Sequence, residues 1–115
     1  MKLRTDGRSI RLRLRRSEVE KLAASGAVTE TLRLPDGEFS FGVEARNVER
    51  AEAHLDGRDL RIVIPRHEAA RWTASDEVGY YGVAGDLHIA IEKDFRCTTG
   101  ASEDDADRYP NPRAK

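Results

Sequence analysis

The 115-residue chain is poor in the residues and motifs that mark a known chemistry. Its single cysteine, Cys97, cannot form an internal disulfide, which favours a reducing compartment. No apolar run approaches the roughly 20 residues of a membrane-spanning helix, and the charged first residues are unlike a signal peptide. The sequence therefore predicts a cytoplasmic protein with no membrane partner.

Catalytic and cofactor signatures are missing as well. The chain contains no phosphate-cradling glycine loop, no His-Glu-x-x-His, no Cys-x-x-Cys and no Gly-x-Ser-x-Gly. Aromatic residues make up only 6% of the chain, which leaves few side chains for stacking on nucleic-acid bases. We therefore expect no cofactor, and these absences favour binding over catalysis.

Charged residues are abundant and nearly balanced. The 20 Lys and Arg residues and 21 Asp and Glu residues leave a net charge of −1, which argues against polyanion binding by the whole surface. The distribution is uneven, because residues 1–16 carry seven bases and one acid whereas residues 103–107 carry four acids and no base. Such asymmetry can mark an interaction surface or an intramolecular clamp.

An internal repeat is the most informative feature present. Residues 6–30 and 56–80 align without a gap and share nine identities, where residue frequencies alone would give roughly two. Leu22 aligns with Trp72, so we expect Trp72 to be an anchor of the core. The repeat predicts two similar halves around one shared core, because fifty residues alone would be marginally stable.

Turn signals divide each half into strands and a helix. Four Gly/Asp pairs predict tight hairpins, and alternating apolar and polar residues flank them, as in half-buried strands. These pairs are Asp6-Gly7, Asp36-Gly37, Asp56-Gly57 and Gly85-Asp86. A capping box at Ser17–Glu20 predicts the first helix, with a stop at Gly26, and Pro65 marks the start of the second.

These elements predict an α+β fold. Each half is expected to be a ββαββ unit, and the tandem pseudo-twofold pair should form a curved antiparallel sheet or closed barrel with two helices. We expect one duplicated domain over residues 1–97, with repeats at 1–46 and 51–94. Residues 98–115 form an acidic, proline-containing tail.

The tail contains a short aromatic-led segment. Tyr109, Pro110 and Pro112 belong to a stiff Tyr-Pro-Asn-Pro sequence that could dock into a groove. Alternatively, the tail is a disordered end. The acids that precede this segment could also fold over the basic N-terminal residues and shield them.

The basic N-terminal residues form the first candidate site. Arg11, Arg13 and Arg15 alternate along one predicted strand, and Lys2 and Arg4 can lie on the same face of its hairpin partner. A row of such side chains can bind phosphate oxygens, which would make this face a groove for RNA or another polyanion. Alternatively, the face is solvated and its arginines pair with acidic residues of other strands, an interpretation that the balanced total charge favours. The acidic residues considered for this pairing are Glu30, Glu44 and Glu52.

The second candidate site surrounds Cys97. Asp94 and His88 could join it in a small thiol or metal-dependent enzyme, and Lys93 could help to activate the thiol. None of these residues shows a metal-ligand spacing, however, so no metal site is predicted. A partly buried structural cysteine is the alternative interpretation.

Five segments carry a resemblance to known proteins. They are Ser9-Ile-Arg-Leu-Arg-Leu14, Ser17-Glu-Val, Ser75-Asp-Glu-Val-Gly79, Glu92-Lys-Asp-Phe-Arg-Cys97 and Asp107-Arg-Tyr-Pro-Asn-Pro112. At these segments the chain resembles a family of small bacterial proteins that is a domain of unknown function, and the resemblance spans nearly the whole chain. Its most specific part is the closing Glu-Lys-Asp-Phe-x-Cys with Tyr-Pro-Asn-Pro. It implies a stand-alone bacterial cytoplasmic protein, and no substrate, cofactor or catalytic residue.

The leading prediction is a non-enzymatic binding or interaction module. Its expected partner is an unknown protein or a second copy of the chain, because strand edges are natural contact surfaces. Binding of RNA or another polyanion through the basic face is the second hypothesis. A small enzyme around Cys97 is the third. Of the adjacent Tyr80 and Tyr81, at most one is expected to be an exposed contact residue.

Overall fold

The computed structural model describes residues 1–95, which form eight strands and two helices. The strands are β1 (Lys2–Thr5), β2 (Ser9–Leu14), β3 (Ala27–Leu34), β4 (Gly37–Arg46), β5 (Glu52–Asp56), β6 (Asp59–Pro65), β7 (Gly79–Ala84) and β8 (Leu87–Lys93). The helices are α1 (Arg16–Ser25) and α2 (Arg66–Thr73). The α+β prediction is confirmed.

The strands are arranged in two four-stranded sheets. Sheet A has the order β1-β2-β8-β7, and sheet B has the order β3-β4-β6-β5. Each sheet therefore joins one hairpin from the first part of the chain to one from the second. The central pairs β2–β8 and β4–β6 are parallel, whereas the hairpin pairs are antiparallel.

The prediction of a curved antiparallel sheet or closed barrel is wrong in two respects. Neither sheet closes, and each contains a parallel pair at its centre. Turn signals identify only the partner that follows in the chain, and in a hairpin that partner is antiparallel. The parallel neighbour of β2 comes from the far end of the described chain, so no turn signal identifies it, and the burial of apolar faces sets its register.

Glycines shape three of the four hairpins. Gly7 and Gly57 each have φ 60° and Gly85 has φ 62°, at the first central position of a two-residue loop. A type II′ turn requires positive φ at this position. The hairpin at Asp36-Gly37 differs from the prediction, because Gly37 begins β4 and the loop consists of Pro35 and Asp36.

Helix α1 begins earlier than the predicted capping box of Ser17 and Glu20. Its N-cap is Arg15, whose backbone N–H donates to Glu18 Oε1 at 2.7 Å. This reach-back bond satisfies an N–H group at the helix start, which is the role predicted for Glu20. The helix ends as predicted at Gly26, which has φ 82°.

The inner faces of both sheets and the apolar faces of both helices share one core. Its most deeply buried side chains include Leu12, Leu14, Leu22, Val43, Ile62, Ile64, Trp72 and Ile91. Trp72 is therefore a core anchor, as predicted, and replacing such a side chain by alanine typically costs about 3–5 kcal/mol. None of the helices among residues 1–95 has the length and apolar character needed to cross a membrane.

Lys93 fastens the end of α2 to β8. Its Nζ donates to the carbonyl oxygens of Ser75 at 2.6 Å and Trp72 at 3.2 Å, and it lies 5.4 Å from the centre of the indole ring. The ammonium thus binds two carbonyl oxygens at the C-terminal end of α2, where the helix dipole favours a positive charge. This contact fixes β8, which carries the centre of the site described next.

Candidate binding face on sheet A

The outer face of sheet A carries four of the five residues predicted to bind polyanions. Lys2 lies opposite Arg13, and Arg4 lies opposite Arg11, across the β1–β2 pair. The alternate side chains of β2 are buried in the core, so these four point to the opposite, solvent side. We call these four residues the basic face.

The fifth residue, Arg15, lies outside the strand. β2 ends at Leu14, and Arg15 is the N-cap of α1. The alternation of basic residues in the sequence runs one step beyond the strand itself. Periodicity alone does not reveal this, because a strand ends where its hydrogen-bonded partners end.

Carboxylates at the end of β8 pair with the basic face. Glu92 Oε1 lies 3.4 Å from Arg11 Nε and 3.6 Å from Arg13 Nε, and Asp94 Oδ2 lies 3.3 Å from Lys2 Nζ. These partially exposed pairs contribute at most about 1 kcal/mol each. They also orient the basic side chains over the surface of the sheet.

The acidic partners considered from the sequence lie elsewhere. Glu30 binds the N-terminal ammonium, Glu44 lies 2.6 Å from Arg46, and Glu52 lies 2.9 Å from His54. All three belong to sheet B. For Arg11 and Arg13, the pairing hypothesis therefore named the wrong carboxylates, because it lacked the β2–β8 contact.

Tyr81 lies across the outer surface of sheet A from the basic face. It projects from β7, the residue is 61% exposed, and its hydroxyl donates to Glu92 Oε2 at 2.8 Å. A Cβ placed on Gly79 would lie 2.6 Å from the Tyr81 hydroxyl oxygen and 2.7 Å from Cζ, so the ring leans along β7 over that glycine. The hydrogen bond to Glu92, with partial burial, raises the pKa of the Tyr81 hydroxyl. Its neighbour Tyr80 is buried, which agrees with the expectation that only one of the two is exposed.

A groove of about 750 Å³ runs between the arginines and the tyrosine. Ala90 lies beside Arg11 on one side and beside Tyr81 on the other, so a methyl group separates a cation from an aromatic ring. Neighbouring strands are about 4.8 Å apart, which places the backbones of these two residues about 10 Å apart. Ser9 and His88 form the next row of the groove.

The two described members of the candidate thiol or metal site, His88 and Asp94, lie far apart. His88 lines the groove, whereas Asp94 follows β8 at its far end, about 20 Å away at the rise of an extended strand. Cys97 lies outside the described residues, as do the tail-docking candidates Tyr109, Pro110 and Pro112. Among residues 1–95, no cluster of three His, Cys, Asp or Glu side chains could hold a metal ion.

The N-terminal ammonium forms a second polar centre that sequence reasoning missed. It lies 2.7 Å from Glu30 Oε1 and 2.9 Å from Glu18 Oε2, while the Met1 side chain is buried. Burial by itself lowers the pKa of the ammonium, but the hydrogen bonds to Glu30 and Glu18 outweigh it and raise the pKa. The contacts join β1 to α1 and β3 and so hold the edge of the basic face. No side-chain motif signals a backbone ammonium.

The fold and its outer face define a class of small α+β protein with two mixed sheets and a basic groove on one of them. A family model described as "Family of unknown function (DUF7009)" matches residues 1–113, and the chain belongs to this family. No curated protein and no solved structure matches the chain. The resemblance to a family of unknown function is thereby confirmed, while the closing motifs, the bacterial source and the cytoplasmic location stay predictions.

Proposed function

We propose that this protein is a non-enzymatic binding module that holds an anionic ligand on the outer face of sheet A. One observation carries the proposal: Arg4, Arg11, Ala90 and Tyr81 lie side by side across four strands and line one groove. Two guanidinium groups beside an open groove suit the oxygens of a phosphate or carboxylate.

The charge of the face supports this ligand. The basic face has four cations; Glu92 pairs with Arg11 and Arg13, and Asp94 pairs with Lys2, at 3.3–3.6 Å. The bases of these pairs are 39–71% exposed and an incoming anion can reach them from solvent, whereas Glu92 and Asp94 are 13% and 20% exposed. Residues 1–16 carry seven bases and one acid, so positive charge is concentrated on these strands although the net charge of the chain is −1.

The proposal is tested with an abasic phosphodiester octamer, labelled with fluorescein and titrated at about 50 mM salt, where such contacts are strong. We expect the variant Arg4→Ala/Arg11→Ala to weaken binding at least about tenfold, a loss of about 1.4 kcal/mol. Arg33→Ala is the matched control, because Arg33 is an exposed, ion-paired arginine of sheet B. Equal affinity of the double variant and the wild type would disprove the proposal.

A second candidate function, association of two copies, is supported by an apolar surface on sheet B. Leu32 is 51% exposed, Leu34 is 49% exposed and Leu55 is 69% exposed. Leu32 lies opposite Phe39, whose ring stacks on Phe41 with centroids 5.9 Å apart. Such a surface on a single domain is typical of a contact site.

A second copy suits this surface because β3 is an edge strand whose last four residues are exposed. Antiparallel pairing of β3 with itself uses the same edge twice and closes after two copies. Centred at Leu32, it would place the two Leu32 side chains together. We expect sedimentation to show a concentration-dependent dimer that Leu32→Lys abolishes and Val83→Lys, an exposed apolar position on β7, retains. A wild type that stays monomeric throughout would contradict this.

A duplicated origin is also proposed, with one domain over residues 1–97 and related halves at 1–46 and 51–94. If each strand of the first half is replaced by its equivalent in the second half, and the reverse, β1 becomes β5, β2 becomes β6, β8 becomes β4 and β7 becomes β3. The order of sheet A then becomes β5-β6-β4-β3, which is the order of sheet B read from its other edge. The aligned positions Ser9 and Asp59 begin the two parallel pairs. The sequence repeat and the strand order thus support the same approximate twofold relation.

A further inference from the structure

We infer that the anionic ligand is a single-stranded nucleic acid, with one base stacked on Tyr81 and its neighbouring phosphates on Arg11 and Arg4. This inference rests on the proposed function and adds the chemical class of the ligand. It also assigns a separate role to each side of the groove.

The Tyr81 ring has the properties of a stacking platform. It is more than half exposed, it leans over a glycine that leaves room for it, and its hydroxyl is fixed by Glu92. A ring held in one orientation loses little conformational freedom when a base covers it. Stacking of bases on aromatic side chains is the common means by which proteins hold single strands.

The spacing across the sheet suits a nucleotide better than a simple anion. Ala90 keeps the groove open between Tyr81 and Arg11, and Arg4 lies one strand further out. A base over the ring therefore directs its sugar-phosphate backbone across the methyl group toward the guanidinium groups. A ligand with charge alone would use the arginines and leave the ring unused.

The neighbouring row offers contacts to a second nucleotide. Ser9, His88 and Val83 lie side by side across β2, β8 and β7 and line the same groove. The hydroxyl and the imidazole can hydrogen-bond a base edge or a 2′-hydroxyl, while Val83 offers apolar contact. Paired bases of a duplex are stacked on each other and do not present a free face to Tyr81, so a single strand is the better fit.

Two labelled octamers with equal numbers of phosphates test the inference: octauridylate and the abasic octamer. We expect wild-type protein to bind octauridylate at least about tenfold more tightly, because stacking on an aromatic side chain contributes substantially to each bound base. Tyr81→Leu should remove this difference, so that the two octamers bind with equal affinity. Tyr81→Phe keeps the ring and should retain most of the preference.

The outcomes separate this inference from the proposed function. Equal binding of both octamers, or an octauridylate affinity that Tyr81→Leu leaves unchanged, would overturn the nucleic-acid inference while the arginine-dependent binding still stands. If the protein bound neither octamer, both the nucleic-acid inference and the proposed function would be disproved. Because Tyr81 is exposed, Tyr81→Leu should fold, and an unchanged urea midpoint verifies this. With two or three phosphates contacted, the salt dependence of log K should have a slope of about −1.4 to −2.1.

Discussion

The outer faces of sheets A and B share one strand frame and differ in their side chains. A row across sheet A consists of Arg4, Arg11, Ala90 and Tyr81. The corresponding row across sheet B consists of His54, Arg61, Gly42 and Thr29. Only one arginine is common to both rows. The comparison shows that a binding face can arise on one sheet through a few substitutions, without any change of the frame.

On sheet B, side chains fill the space that corresponds to the groove above Ala90 on sheet A. A Cβ on Gly42 would lie 2.7 Å from Thr29 Cγ2, so the threonine side chain fills the space above the glycine. Arg61 is held by Asp59 at 3.0 Å and lies 3.9 Å from Glu44. Within residues 27–65, all of which the structure describes, no aromatic side chain lies on this outer face. The sheet B face is thus suited to structure and the sheet A face to binding.

The largest effect should come from substituting glycines at the two faces. Gly42→Ala would bring a Cβ against the Val28 carbonyl and within 2.9 Å of Thr29 Cα, so backbone atoms must move. Overpacking of this kind costs about 1–3 kcal/mol. Gly79→Ala meets the end of the Tyr81 side chain and the Glu92 side chain, which can shift more easily.

Urea unfolding of both variants measures this difference. The midpoint of Gly42→Ala should fall clearly below that of Gly79→Ala. Gly79→Ala should instead weaken octauridylate binding, because the ring is displaced. If both variants lost the same stability, the stated contrast between the two faces would be incorrect.

A smaller effect is expected where the N-terminal ammonium joins sheet A to sheet B. The pKa of the ammonium is raised in the folded state. Its contribution to the free energy of unfolding is therefore fully present below the unfolded pKa of about 8, and it is lost as the pH rises through the folded pKa. Glu18→Gln/Glu30→Gln should lower the free energy of unfolding at pH 7 by about 1–2 kcal/mol, as for hydrogen bonds to a charged group with partial exposure.

Unfolding at pH 7 and pH 9.5 checks this assignment. The difference between the wild type and the double variant should shrink at the higher pH. Measurements at still higher pH would also include the ionisation of tyrosines, since burial and the hydrogen bond to Glu68 raise the pKa of Tyr80 to about 12. A constant difference across the two pH values would show that the ammonium does not contribute in this way.

The smallest effect concerns the acids of the two faces. Glu92→Gln removes a negative charge beside Arg11 and Arg13 and should tighten binding of the abasic octamer by about threefold, in line with weak, partially exposed ion pairs. Glu44→Gln is the equivalent change on sheet B and should leave binding unchanged. Weaker binding of Glu92→Gln would mean that orienting the arginines matters more than their net charge.

Much of the fold was predictable because local patterns carry it. Alternation placed Lys2, Arg4, Arg11 and Arg13 on one face, and the glycine signals located all four hairpins. The alignment of Leu22 with Trp72 correctly placed the tryptophan in the core. Each of these inferences depends on residues that are close in sequence or equivalent by repeat.

The candidate site was less predictable because its two sides come from opposite ends of the described chain. Nothing near Arg11 in the sequence points to Ala90, Tyr81 or Glu92, which reach it only through the parallel β2–β8 pair. The alternation of basic residues also suggested Arg15, which the start of α1 removes from the strand.

The amino-acid sequence by itself determined the strands, the turns, the helix positions and the two sets of apolar faces, because these follow from backbone preferences and short-range periodicity. The tertiary structure alone decided which hairpins share a sheet, and hence that a cation row of the first half meets an aromatic side chain of the second. Strand partners distant in the chain are selected by the burial of common apolar faces and by hydrogen bonding along their edges. That selection belongs to the folded molecule as a whole.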